Sequence, residues 1–233
     1  MIAGLGRHLG ERWIAAIVLS AILSLFVLTL FYADGRHEHS SILWNLLLAW
    51  IPLGLAVIVY RGATSGLSSP VMTGLGALWL LFLPNAPYIV TDLRYADLQY
   101  LSKYTAPVLY ETVLLTAAAC TGLLLGLTSL FLMHVVARRL VGVVNGWAFV
   151  VGALALSAFG TYLGRVYRWN SWDVFTRPAS LAGHLMNGLL DPLDHPRLIA
   201  RTALFTSLLL VSYLAFYFLV RMGSLSTPAA TRD

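Results

Sequence analysis

Residues 13–33 read WIAAIVLSAILSLFVLTLFYA, an uncharged stretch that sets the class of protein. A helix of this length rises about 30 Å, at about 1.5 Å per residue, and so matches the hydrocarbon thickness of a bilayer. Arg7, Glu11 and Arg12 precede it, as in a signal peptide, but its apolar core exceeds the roughly 7 to 15 residues that signal peptides use. We therefore expect a retained membrane span.

The composition extends this expectation to the whole chain. The 233 residues are 59% apolar and only 11% charged, with a mean hydropathy of +0.79, whereas soluble domains carry roughly 25% charged residues. This balance excludes a soluble enzyme, a disulfide-stabilised secreted protein and a disordered regulator. The net charge of +5 then indicates anionic lipid headgroups as partners, and we expect no nucleic acid.

Five further apolar stretches predict an all-α, polytopic transmembrane bundle of about six spans. They cover residues 42–60, 70–91, 106–134, 140–164 and 202–220. We interpret residues 13–221 as one transmembrane helical domain, with a basic N-terminal segment at 1–12 and a mobile tail at 222–233. Leucines at helical spacing after Pro178 predict a short surface helix before the last span.

The string LPNAPYIVTDL, at residues 83–93, interrupts the third span. Pro84 and Pro87 each remove a backbone donor and disfavour helical geometry in the residue before them, so regular helix should end near Leu83. Carbonyls left without donors are costly in hydrocarbon unless they border protein or a wet cavity. Interrupted helices often frame substrate sites in transporters, but the prolines can also simply close a helix at the interface.

A second polar string, GRVYRWNSWD, follows the fifth span at residues 164–173. Arg165 and Arg168 are three positions apart, which places them on one face of a helix. Two guanidiniums aimed together can bind a phosphate or a carboxylate through paired hydrogen bonds. An anion site is therefore one interpretation of this spacing.

Two other interpretations of the second string stay open. In the first, the string only anchors the helix end: the arginines complement the helix dipole and reach lipid headgroups, and Trp169 and Trp172 lie at the interface. Asn170 and Asp173 would then form a local helix cap. Alternatively, an arginine can pair with Asp92 or Asp173 and tie the two strings together.

The two strings resemble the hallmarks of an uncharacterised family of bacterial polytopic membrane proteins, domain-of-unknown-function family 1361. Its LPNAPY-x-x-TDL and GR-x-x-RWNSWD patterns both occur intact here, and the resemblance covers roughly residues 42–220. It implies a multi-pass protein of the bacterial inner membrane. It implies no reaction, and the cofactor stays unknown.

Our first functional hypothesis is an interfacial site that both strings share. It would bind an anionic lipid-linked or phosphate-bearing ligand, with Asp92 or Asp173 as a catalytic group. The predicted ligand-binding residues are Asn85, Tyr88, Thr91, Arg165, Arg168 and Asn170. The spans and the two strings contain no HExxH, CxxC or similar spacing, so we predict no metal site.

Two other classes of function fit the sequence. A small-solute transporter would need polar residues along spans two, four and five, which offer few of them, Asn45 among them. An accessory or assembly subunit would pack against a membrane partner or a second copy through small-xxx-small faces. These faces are Gly122/Gly126, Gly142/Gly146 and Gly160/Gly164.

The distribution of positive charge does not fix the orientation. With six crossings and an inside N-terminus, the inside holds Arg7, Arg12, Arg61, Arg138, Arg139, Arg221 and Arg232, and the outside holds the other eight of the 15 positive residues. This near-balance does not satisfy the positive-inside rule in either direction. A re-entrant third stretch would instead place ten inside and five outside, which keeps re-entry open.

Overall fold

The computed structural model describes residues 2–34, 40–95, 106–180, 183 and 196–222, and in these ranges it contains helices and no strand. The elements are α1 (Ile2–Asp34), α2 (Ser40–Ser65), α3 (Ser69–Phe82), α4 (Asn85–Tyr88), a 3-10 helix (Ile89–Tyr95), α5 (Ala106–Val166), α6 (Asp173–Thr176) and α7 (Pro196–Met222). The predicted all-α class is confirmed.

Five apolar helical stretches of the described chain are long enough to cross a membrane. They are Trp13–Ala33, Ser41–Ser65, Ser69–Leu93, Leu109–Val166 and Leu198–Arg221. The fourth stretch consists of two helices, because Gly142 has φ 85° and ψ 176°, which interrupts the helix. We name the two halves α5a (106–141) and α5b (143–166). The chain is thus a multi-pass membrane protein.

The ends of the chain differ in part from the predicted boundaries. Helix α1 begins at Ile2, so the segment predicted at 1–12 continues the helix of the first span. The surface helix predicted after Pro178 falls almost entirely outside the described residues, and so does the tail from 223 to 233.

The Pro-broken third segment runs along the full height of α2. At one end, the Leu67 N–H donates to the Gly62 carbonyl at 3.0 Å, so α3 begins beside the end of α2. At the other end, Asn45 in the first turns of α2 donates to Asp92 at 3.0 Å. The helix between Asn45 and Gly62 rises about 26 Å. The segment therefore crosses the bundle and does not re-enter.

Buried polar contacts fix α3 at mid-height. The indole N–H of Trp79, which is fully buried, donates to the Ser129 hydroxyl at 2.6 Å. That hydroxyl donates in turn to the Pro52 carbonyl of α2 at 3.1 Å. Trp79 also stacks on Phe149 of α5b, with ring centroids 5.8 Å apart. Interhelical hydrogen bonds of this kind hold helices together where hydrocarbon provides no hydrophobic drive.

Two glycine pairs of α5 contact the PNAPY segment, residues 84–88. A Cβ on Gly122 of α5a would lie 2.5 Å from the Ala86 carbonyl oxygen, and a Cβ on Gly160 of α5b would lie 2.6 Å from the Pro84 ring. The missing side chains thus leave the groove in which the broken segment lies between the two halves of α5.

The third glycine pair serves the bend of α5 itself. Gly142 adopts the positive φ of the bend, and a Cβ on Gly146 would collide with the side chain of Arg138. In the described structure, each of the three glycine pairs therefore has a role in packing within this one chain. Their use against a partner or a second copy stays a prediction.

Candidate functional site

Both polar strings lie at the same end of the bundle, where α2 begins and α3 and α5b end. The Asn85 side-chain amide donates to the Ser171 hydroxyl at 3.1 Å. The Ser171 hydroxyl donates to the Leu81 carbonyl at 3.0 Å. This pair joins the first string to the second across 86 positions of sequence, and it satisfies a carbonyl beside the proline break.

Arg165 makes the second link between the strings. Its guanidinium pairs with the Asp92 carboxylate at 2.5 Å, donates to the Thr91 hydroxyl at 2.7 Å and lies 4.1 Å from the centre of the Tyr88 ring. The two ion-pair side chains are 14% and 2% exposed, respectively. Asn45 donates to the other carboxylate oxygen of Asp92 at 3.0 Å. A buried ion pair needs such additional hydrogen bonds to offset its desolvation.

Asp173 serves the turn that follows α5b. Its carboxylate accepts the backbone N–H of Asn170 at 2.8 Å, the Thr176 hydroxyl at 3.2 Å and the Arg177 guanidinium at 2.9 Å. The Asn170 N–H, followed by Arg177, holds the pKa of Asp173 below its ordinary value, although burial opposes this shift. Both carboxylate oxygens of Asp173 thus accept hydrogen bonds from residues of the turn to which Asp173 itself belongs, as the local-cap interpretation expects.

Arg168 is placed differently from Arg165, and here the expected shared helix face is wrong. Helix α5 ends at Val166, and Arg168 has φ 58°, in the left-handed region that costs a non-glycine residue about 1–2 kcal/mol. Helical i, i+3 geometry therefore does not apply to the pair. Arg168 is exposed, and no acidic side chain of the described chain pairs with it.

Residues of both strings line a cavity of about 700 Å³, a volume typical of ligand sites. Five predicted ligand-binding residues line this cavity: Asn85, Tyr88, Arg165, Arg168 and Asn170. Thr91, Asp92 and Asp173 lie outside its lining. The first two of these support Arg165 from behind, and the third supports the turn after α5b.

One arginine of the site carries a positive charge that no aspartate of the two strings balances. Within residues 83–93 and 164–177, three arginines face two aspartates, and Asp92 and Asp173 pair with Arg165 and Arg177. The remaining positive charge belongs to Arg168, at the cavity wall. In the described ranges, no cluster of three or more His, Cys, Asp or Glu side chains could hold a metal ion.

The cavity lining includes residues that were not predicted for the site, among them two on α2 and one in the second string. Trp44 and Asn45 line the cavity from α2, and Trp44 meets Trp172 edge-on at 6.3 Å. Ser171 lines it from the second string. A polar contact of Asn45 could be predicted from the sequence, because an amide inside an apolar span costs free energy unless it has a polar partner. Its partner Asp92 could not be identified from spacing.

Comparison with known proteins gives a family for the chain. Neither the curated proteins nor the solved structures include a match to it. The model of the family described as "Protein of unknown function (DUF1361)" matches residues 44–215, well over half of the chain. The matched region includes both polar strings and all the cavity-lining residues. The chain belongs to the DUF1361 family.

Proposed function

We propose that this protein binds an anionic, phosphate-bearing ligand in the cavity between the two strings, with Arg168 meeting the ligand's charge. One observation carries the proposal: Arg168 lines the cavity without an acidic partner in the described chain, whereas Arg165 and Arg177 are paired. A guanidinium offers a planar set of donors that matches phosphate oxygens bidentately.

The other cavity residues fit supporting roles. Asn170 is a neutral polar residue of the wall whose side-chain amide can donate a hydrogen bond to a bound head group. Asn85 shapes the wall, because both N–H groups of its side chain already donate, to Phe82 and Ser171. Arg165 shapes the wall, since its charge is already balanced by Asp92. We assign Thr91 and Asp92 as positioning residues for Arg165. Binding needs neither Asp92 nor Asp173 as a base, and the engaged oxygens of both carboxylates favour a non-catalytic role.

The core below the site argues against a transport path through the centre of the bundle. Trp79 and Ser129, both fully buried, join α3 to α5a at mid-height, and the Trp79 ring stacks on Phe149 of α5b. A solute moving along the centre would have to displace this tryptophan. The accessory-subunit alternative predicts instead that no phosphate probe binds in a way that depends on Arg168.

The membrane we propose is the inner membrane of a bacterium. The family resemblance suggests the bacterial origin, and the helical architecture suggests the membrane, because outer-membrane spans are β-barrels. Separation of inner and outer membranes of an expressing cell, followed by detection of the protein in each fraction, tests this. Recovery in the outer-membrane fraction would contradict it.

A binding titration tests the anion site. The protein is placed in nanodiscs of digalactosyldiacylglycerol, a bilayer lipid without phosphate, and titrated with dodecyl phosphate and, separately, with inorganic phosphate, with empty nanodiscs subtracted. Loss of a charge-assisted hydrogen bond costs about 1.5–3 kcal/mol, so Arg168→Gly should weaken binding about tenfold to a hundredfold. Glycine is chosen because it tolerates the left-handed backbone of this position.

Arg61→Gln is the matched control. Arg61 is exposed at the opposite end of the bundle, near the end of α2, so its replacement removes one positive charge without touching the cavity. We expect this variant to bind as the wild type does. Equal affinity of wild type and Arg168→Gly for every phosphate probe would overturn the proposed function.

A further inference from the structure

The walls of the cavity divide into a polar rim and an apolar lower part. The rim contains the arginines and asparagines described above. The lower part is formed by Leu48 of α2, by Ala77, Leu80 and Leu81 of α3, and by Leu156 and Leu163 of α5b. A hydrated anion alone would use the rim and leave these apolar walls in contact with water.

The apolar part reaches deep into the bundle. Leu156 precedes Arg165 by nine residues of continuous helix, which corresponds to about 14 Å along α5b. Ala77 lies a similar distance before Asn85 on the third segment. The cavity therefore extends from the level of the guanidiniums to about the middle of a span, where the surrounding medium is hydrocarbon.

The lower part also opens sideways. Leu156 is 53% exposed and Ala77 is exposed, although both line the cavity. An exposed side chain at mid-span faces acyl chains. At the level of Ala77 and Leu80, α3 and α5b contact each other through the buried ring of Trp79, which stacks on Phe149. The space between α3 and α5b beside this stack, on the side of the exposed Ala77 and Leu156, is thus a cleft continuous with the bilayer.

We infer that the ligand is an amphiphile: a phosphate group at Arg168 with a hydrocarbon chain that enters the cleft between α3 and α5b from the bilayer. This inference rests on the proposed anion site and adds the source of the ligand. A lipid phosphate satisfies both halves of the cavity, because its charge meets Arg168 while its chain passes from bilayer to cleft without entering water. A free phosphate satisfies only the rim.

The test compares chain length and blocks the cleft. Protein in nanodiscs of digalactosyldiacylglycerol, a bilayer lipid without phosphate, is titrated with dodecyl phosphate, butyl phosphate, inorganic phosphate and dodecanol, with empty nanodiscs subtracted. Ala77→Phe places a ring in the cleft, and Ala148→Phe makes the same change at an exposed position of α5b outside the cavity lining. We expect dodecyl phosphate to bind the wild type and the Ala148→Phe variant alike, and Ala77→Phe to weaken it about tenfold, as overpacking displaces the chain.

The outcomes separate this inference from the proposed function. The amphiphile would be overturned if all three phosphates bound with equal affinity, or if Ala77→Phe left the affinity for dodecyl phosphate unchanged. In either case, weaker phosphate binding by Arg168→Gly would still support the anion site. Arg168→Gly binding as tightly as the wild type would overturn both. Binding of dodecanol as tight as that of dodecyl phosphate would show a neutral occupant and would also overturn the inference.

Discussion

Arg165 and Arg168 carry the same charge in different surroundings, and the difference follows from where the helix ends. Arg165 is still helical and its side chain lies in the bundle, so its charge needs the carboxylate of Asp92. Arg168 lies beyond the last helical residue, in a left-handed turn that exposes its side chain. Residues in sparsely populated backbone regions often mark functional sites, and this one lines the cavity.

Removal of Asp92 should destabilise the protein strongly. Asp92→Ala leaves the Arg165 guanidinium buried without its carboxylate, which typically costs about 3–5 kcal/mol. The control is Arg177→Ala, which removes the ion pair between Arg177 and Asp173. The Arg177 side chain is 62% exposed, and ion pairs with an exposed member contribute about 1 kcal/mol or less to stability. Unfolding in mixed detergent measures both variants. Equal losses in the two would contradict the buried-pair interpretation.

Arg168→Gly should stabilise the fold even as it weakens ligand binding. Relief of the left-handed conformation gains about 1–2 kcal/mol, and the greater freedom of glycine in the unfolded chain returns about half of this. Arg139→Gly, at an exposed helical position of α5a, should instead lose about 1 kcal/mol. The same detergent unfolding compares them. A loss of stability in Arg168→Gly equal to that in Arg139→Gly would show that the turn does not constrain residue 168.

The stability of the turn around Asp173 should depend on acid pH. Its folded-state pKa lies below the ordinary 3.8, so the carboxylate's contribution is complete above that value and disappears as pH falls through the lowered folded-state pKa. We expect Asp173→Asn to be less stable than the wild type at pH 7 and the difference to shrink below about pH 4. Thermal unfolding measured from pH 7 to pH 3 checks this. A difference that does not change with pH would contradict it.

At the scale of the elements, the bend and the small residues of α5 determine where the first string lies. Gly142 divides the helix, and the groove between its two halves receives the PNAPY segment at Gly122 and Gly160. The prolines prevent this segment from continuing α3 as regular helix. The break is therefore stabilised by contacts with protein, as backbone irregularity in a membrane requires.

Alanine at Gly122 should disturb this packing. Its Cβ would lie 2.5 Å from the backbone carbonyl oxygen of Ala86, and overpacking of this kind costs about 1–3 kcal/mol. Gly152→Ala on α5b is the control, because no atom lies within 4 Å of its Cβ position, and helix propensity there favours alanine by about 1 kcal/mol. Detergent unfolding should give opposite signs. Two changes of the same sign would argue against the groove.

The elements themselves could be predicted to a large extent from the sequence. Long uncharged runs have one stable form in a bilayer, so the spans and the end of α3 near Leu83 follow from hydropathy and proline chemistry. The bend of α5 at Gly142 could not be predicted in this way. Gly142 belongs to a small-xxx-small pattern that suggests helix packing, and only the fold shows that it has a positive φ.

At the scale of the whole molecule, the site depends on contacts that sequence spacing does not contain. Arg165 and Asp92 are 73 positions apart, and Asn45 and Asp92 are 47 apart. The residue types predicted an anion site, a local cap or an ion-pair tie. The fold brings an ion-pair tie and a local cap together around the cavity, which leaves Arg168 as its unbalanced charge. No periodicity could have separated the roles of the two arginines.

The most direct test measures the contact between phosphate and Arg168. Protein labelled with ¹⁵N-arginine is placed in nanodiscs of digalactosyldiacylglycerol, a bilayer lipid without phosphorus, together with dodecyl phosphate, and ³¹P–¹⁵N dipolar dephasing is recorded by solid-state NMR. We predict a guanidinium nitrogen about 4 Å from the dodecyl phosphate phosphorus, as a charge-assisted hydrogen bond requires. This signal should disappear in Arg168→Gly and persist in Arg61→Gln. A dephasing signal that survives in Arg168→Gly, or that is absent from the wild type at saturating dodecyl phosphate, would contradict the proposed site.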